Sequence, residues 1–298
     1  MLLFEKTRGF IAKLSLVTVL AAMATPCFAD KITIPLWPDG APEESGLTIE
    51  NETWSGDFLN QTATAELYVY PAENPNGTAI LMCPGGGYWG LSTSNEGHAM
   101  ADWMNSMGIT YAVLKYRMPN GHDKIPLSDA QEAMRILRKN ADKWGIDPQS
   151  IGVMGASAGG HLASTLSTHA DSQETKPNFQ ILFYPVITME EGVTHQGSRD
   201  FLIGKSPAPE MVRFYSNELQ VNESTPQAFI MVSGDDTIVP VANSLRYATS
   251  LADNKVPFSL HVYPSGGHGW GFSDNFQYKP QWTAELENWL NTSVVKRK

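Results

Sequence analysis

The stretch "VMGASAGGHLA", residues 153–163, sets Ser157 between two small residues and flanks it with Gly155, Gly159 and Gly160. It follows the apolar run "IGVM" and leads into "AGGHLASTLS", so a G-x-S-x-G pattern sits where a buried strand turns sharply into a helix. Such a turn tolerates only small neighbours and leaves the serine clear of both elements. It also points free first-turn amides at the same spot, and the amide of Ala158 is placed to bind a developing oxyanion. A bare G-x-S-x-G arises by chance, and a serine that merely caps a helix is the alternative. The rest of the chain has to decide between them.

Working outward, apolar runs recur at residues 79–83, 110–116, 151–155, 179–186, 228–233 and 258–263, with helical patterns between most of them. Ala130, Ala133, Met134, Leu137, Ala141 and Trp144 share one helix face, with Ser128 and Gln131 read as a capping box and Gly145 as the stop. Met100, Trp103, Met104 and Met107 repeat the pattern, and a last helix is expected over 280–291. Alternating strands and helices predict an α/β fold, a mostly parallel central sheet covered by helices on both faces. "LTIE" (47–50) and "AELYVY" (65–70) read instead as antiparallel strands. Residues 188–226, rich in Glu, Ser, Gly and Pro, read as an excursion or small cap with a short helix near 208–217.

The other parts of a serine-hydrolase site follow in chain order. "CPGGGYWG", residues 83–90, comes just after a strand, and three successive glycines let amides approach a substrate oxygen; Gly86 and Gly87 are the expected donors beside Ala158. "VSGDDTIVP" (232–240) places Asp235 and Asp236 after another strand, and either carboxylate suits the task of holding an imidazole tautomer. "YPSGGHGWGF" (263–272) carries His268 in a glycine-rich loop after the last strand, the placement of a general base. Tyr88, Trp89 and Trp270 flank these loops and are candidates to stack on substrate rings, packing being the alternative for each.

The N-terminal 29 residues have a basic start, an apolar stretch from Leu14 to Ala24 and small residues Cys27 and Ala29 at cleavage-site spacing, which predicts a signal peptide and a secreted or periplasmic product. Residues 30–298 would then form one catalytic domain. A formal charge of −10 disfavours nucleic acid and anionic membrane as partners, and loss of the leader makes the chain more acidic still. It also leaves Cys83 alone, read as a buried apolar residue rather than part of a disulfide framework. No histidine or cysteine cluster has metal-ligand spacing and no glycine loop is followed by a phosphate-binding lysine, so neither a metal nor another cofactor is implied.

"PGGGY", "LKYRMP", "LSDAQEAMRILRKNADKWGIDPQSIGVMGASAGGHLAS", "FYPVI", "SGDDTIVP" and "LHVYPSGGHGWGF" together resemble the α/β-hydrolase group of secreted bacterial acetylxylan and feruloyl esterases, some of them labelled xylanases. The resemblance implies a Ser157–His268–Asp236 triad, because the family's acid stands four residues before the proline of a D-x-x-V-P loop; Asp235 is then its neighbour. It implies an acylated polysaccharide or oligosaccharide as substrate. Pro84, where related lipase-like esterases carry histidine, and Ala156, where they often carry aspartate, argue against a lipid or bulky acyl substrate. A prolyl-oligopeptidase-type peptidase and a catalytically dead, carbohydrate-binding hydrolase fold are the competing readings.

Overall fold

A computed structural model of the chain describes residues 31–295; the expected signal peptide lies outside the described residues. The chain runs β1 (Ile32–Pro35), β2 (Thr53–Ser55), β3 (Phe58–Asn60), β4 (Glu66–Tyr70), β5 (Gly77–Cys83), β6 (Gly90–Ser92), α1 (Ala101–Ser106), β7 (Thr110–Lys115) and α2 (Ile125–Lys139). It continues β8 (Ile146–Ala156), α3 (Ser157–Thr168), β9 (Phe179–Phe183), α4 (Gln196–Ile203), α5 (Pro209–Tyr215), β10 (Gln227–Ser233), α6 (Ala242–Asp253), β11 (Phe258–Tyr263) and α7 (Lys279–Trp289).

Eight strands form one sheet in the order β1-β4-β7-β5-β8-β9-β10-β11, antiparallel at β1–β4 and β4–β7 and parallel from there on. Side chains alternate across it, as strand geometry requires. Ala79, Leu81 and Cys83 of β5 join the core under α2, α3 and α6, whereas Ile80 and Met82 join the one under α1 and α7. Burial on both faces explains why the strands read as continuous apolar runs. After β5 the chain crosses to β7 on one side and returns to β8 on the other. That reversal leaves a crevice beyond the carboxyl ends of β5 and β8, the place where open α/β sheets bind ligands. Cys83 pairs with Gly155 there, which brings the loop after β5 beside the turn after β8.

Local readings fail in three places. "LTIE" is not a strand: Ile49–Asn51 form a 3₁₀ turn in which the Thr48 amide donates to Asn51 Oδ1. Ser128 and Gln131 are not a capping box, because α2 begins three residues earlier at Ile125; Pro126, with φ preset and no donor to lose, opens its first turn, and the Ser128 hydroxyl donates to the Ile125 carbonyl inside the helix. The excursion holds α5 near the expected place and also α4, whose N-cap is His195, accepting from the Ser198 amide. A histidine cap carries none of the usual Ser, Thr, Asp or Asn signal.

Candidate active site

Ser157 stands between the end of β8 and the start of α3 at φ +54°, a left-handed conformation that costs a non-glycine residue energy and that surrounding packing must hold. The packing is backbone against backbone. A Cβ on Gly159 would lie 2.1 Å from the Cys83 carbonyl oxygen, and one on Gly155 would lie 2.2 Å from the Gly159 carbonyl oxygen. Helix and strand therefore meet only because both positions are bare.

The three groups named from sequence converge here. His268 Nε2 is 2.8 Å from Ser157 Oγ and its Nδ1 is 2.7 Å from Asp236 Oδ2. Asp236 is fully buried at its side chain, and its Oδ1 accepts from the amides of Ile238 and Val239 at 2.9 Å each. A carboxylate can only accept, so Nδ1 carries the proton and the Nε2 lone pair faces the serine hydroxyl. Asp235 points elsewhere: its two oxygens accept from the amides of Gly266 and Gly267, bracing the turn that presents His268.

Gly86 adopts φ +143°, and a Cβ on it would lie 2.0 Å from the Gly90 carbonyl oxygen, so this turn admits only glycine. Its own carbonyl accepts from the amides of Trp89 and Gly90. The amides of Gly86 and Gly87 have no partner among the described residues, and that of Ala158, in the first turn of α3, has no intrahelical acceptor. The loop lies against the serine turn, since a Cβ on Gly85 would be 2.9 Å from Ser157 Cβ. Three unpartnered donors thus lie on the two turns that meet at the serine, the kind of group an oxyanion needs.

Two of the three aromatic candidates are corrected. Tyr88 turns inward and is 2% exposed, its hydroxyl on His161 Nδ1. Trp270 is 5% exposed, stacked on Phe276 and donating to Ser233 Oγ, so most of its ring is packed into the core behind the histidine loop. Trp89 alone remains open at 42%, beside Phe201 of α4 at 43%, with ring centroids 5.1 Å apart. Cys83 is buried at the end of β5, and burial pushes its thiol up, away from reactivity. Among the described residues no group of histidines, cysteines and carboxylates is arranged to hold a metal ion.

Sequence reading missed a second layer. Glu96, buried in the loop after β6, accepts from the Gly85 amide at 3.0 Å and from the Tyr184 hydroxyl at 2.7 Å. Tyr184 in turn accepts from the Gly271 amide and sets its ring edge against His268. The neighbouring Asn95 donates to the carbonyls of Gly269 and Trp270 and accepts from the Phe272 amide. Residues 95–96 therefore clasp the glycine loop to the histidine loop. Burial raises the Glu96 carboxyl above its ordinary range, opposed by these donors and by His268. His195 lies against Gly87, and burial, then His268, push its imidazole down. Bonds spanning tens of residues leave no local pattern in sequence.

The similarities to known proteins agree with this geometry. Residues 80–272 match the model of a family described as the α/β hydrolase fold. The chain is 42% identical over 238 residues to an acetylxylan esterase of Xylanibacter ruminicola, covering 78% of this chain and 49% of that protein. It is 37% identical over 204 residues to endo-1,4-beta-xylanase B of Butyrivibrio fibrisolvens, covering 64% and 32%. The chain thus spans half or less of the length of these two curated relatives. The crystal structure of an acetyl ester-xyloside bifunctional hydrolase from Caldicellulosiruptor lactoaceticus superposes with a TM-score of 0.74 at 33% identity, covering 90% of this chain and 98% of that one. The family match extends over most of the chain and includes the serine turn, the glycine loop and the histidine loop: the chain belongs to the α/β hydrolase fold family.

Proposed function

We propose that the protein is a secreted serine carboxylesterase that removes acetyl groups from xylan or its oligosaccharides. The observation that carries the chemistry is the unbroken chain from Ser157 Oγ through His268 to Asp236. The similarity to an acetylxylan esterase supports the substrate class. Ser157 Oγ attacks the ester carbonyl carbon while its proton passes to His268 Nε2, and the carbonyl oxygen, now negative, takes hydrogen bonds from the amides of Gly86, Gly87 and Ala158. As the tetrahedral centre collapses, the C–O bond to the sugar breaks and His268 returns the proton to the leaving sugar oxygen. Water, deprotonated by the same nitrogen, then releases acetate and restores the serine. Asp236 keeps Nδ1 protonated throughout and stabilises the imidazolium.

The open pair Trp89 and Phe201 would take the planar ring of an aromatic acyl group at the rim, which leaves feruloyl esters as a second substrate. Export rests on the pattern in the first 29 residues. Acetate release from acetylated xylan, set beside ferulate release and peptide cleavage, tests the reading. Labelling of Ser157 by a serine-directed phosphonate separates an enzyme from a dead fold, and N-terminal sequencing of the exported protein tests cleavage after Ala29.

A further inference from the structure

The reaction assigns sides to the site. Because His268 must hand its proton to the leaving oxygen, the alcohol half of the ester departs past the imidazole, away from the glycine loop. Against the histidine loop a cleft of about 430 Å³ opens, with His268 itself in its wall; Trp270 and Phe276 form its apolar part, and Asn95, Ser265, Ser273, Asn275 and Gln277 its polar part. The volume falls within the range of roughly 300–1,000 Å³ usual for small-molecule sites. Its polar side chains other than the His268 imidazole are uncharged and carry hydrogen-bond donors or acceptors. Three other clefts of comparable size differ in kind, since their walls carry Glu43 and Lys124, or Glu218, Arg246 and Asp253, or Glu44, Glu66 and Arg117.

Part of the lining's capacity is already used, which fixes what it can offer. Asn95 spends its amide hydrogens on the histidine loop and keeps Oδ1 as an acceptor. Ser265 accepts from Gln277 Nε2 at 2.8 Å, leaving its own hydroxyl hydrogen and Gln277 Oε1. Asn275 makes no side-chain hydrogen bond among the described residues and presents both donors and an acceptor. An array of neutral donors and acceptors suits vicinal hydroxyls. An ionic or purely apolar alcohol would leave it unpaired.

We propose that this cleft is the leaving-group subsite and that it takes the neutral sugar bearing the ester. The proposal rests on the esterase reading and adds where the carbohydrate lies. It predicts that substrate selectivity between sugar esters and simple esters resides in the loop from Ser265 to Gln277 rather than at Trp89.

The test is the double variant Asn275→Ala, Gln277→Ala, both exposed positions, assayed on an acetylated xylo-oligosaccharide and on 4-nitrophenyl acetate. The ratio of kcat/KM for the sugar ester to that for 4-nitrophenyl acetate should fall at least about ten-fold, chiefly through KM, as two lost hydrogen bonds to substrate hydroxyls imply. A ratio within two-fold of wild type overturns the placement, as does a loss that instead follows Trp89→Ala. If the wild type cleaves 4-nitrophenyl acetate but no acetylated sugar, the carbohydrate esterase reading fails and takes this proposal with it. If it cleaves both while the ratio is unmoved in the variant, only the cleft is misassigned.

Discussion

Asp236→Asn should nearly abolish turnover without unfolding the protein, and the geometry says why. Two amides, from Ile238 and Val239, both donate to Asp236 Oδ1, so an asparagine would keep its oxygen on that side and turn its NH₂ toward His268 Nδ1. Two donors cannot face each other. The imidazole would move its proton to Nε2 and lose the lone pair that accepts from Ser157 Oγ. In a serine-protease triad the same wrong tautomer costs about 10⁴ in kcat, or roughly 5.4 kcal/mol at 1.36 kcal/mol per decade. Asp235→Asn keeps one acceptor oxygen for the Gly266 and Gly267 amides and should cost about ten-fold or less through a looser histidine turn. The assay is steady-state hydrolysis of 4-nitrophenyl acetate by both variants, with thermal unfolding run alongside. Equal losses, or a larger loss for Asp235→Asn in folded protein, would refute the tautomer argument.

Glu96→Gln replaces an acceptor of the Gly85 amide with a group that can also donate, and should lower kcat by about 10- to 100-fold with little change in KM, since it disturbs loops rather than substrate contacts; an unchanged kcat would show the clasp to be dispensable. Gly159→Ala forces a methyl within 2.1 Å of the Cys83 carbonyl oxygen and should cost about 1–3 kcal/mol in urea unfolding as well as activity, whereas wild-type stability would contradict the close approach. Burial holds His161 at about 4 against an ordinary 6.5. The folded state therefore refuses a proton that the unfolded chain accepts, and stability should fall as pH drops from about 6.5 toward 4, by at most about 1.4 kcal/mol per pH unit for this group. Urea midpoints at stepped pH should show that decline, and a slope that His161→Gln leaves unaltered would remove His161 as its cause.

What the sequence made legible is what depends on neighbours along the chain. The serine turn, the glycine loop and the histidine loop each declare themselves because small residues are required within a few positions of the functional group. The parallel strands do so because burial on both faces writes apolar runs. Asp235 and Asp236 were equal on chemistry alone, since adjacent turn residues differ only in where the backbone aims them; the structure gives one the imidazole and the other two glycine amides. Tyr88 and Trp89 show the same limit. Both follow the glycines, yet Tyr88, at φ +60°, enters the core while Trp89 stays open. Glu96 and Asn95 were invisible because their partners lie as far as 175 residues away, and a polar residue in a loop looks the same whether it is solvated or ties two loops together.

Acetate released from acetylated xylan by wild-type protein and by Ser157→Ala, at equal enzyme concentration and with both shown to be folded, tests the central claim most directly. The account predicts steady release by the wild type and less than about a thousandth of that rate from the variant, because the hydroxyl bonded to His268 is the nucleophile. Release by the variant at more than about one per cent of the wild-type rate, or none from a wild type whose Ser157 is labelled by a phosphonate, would contradict it.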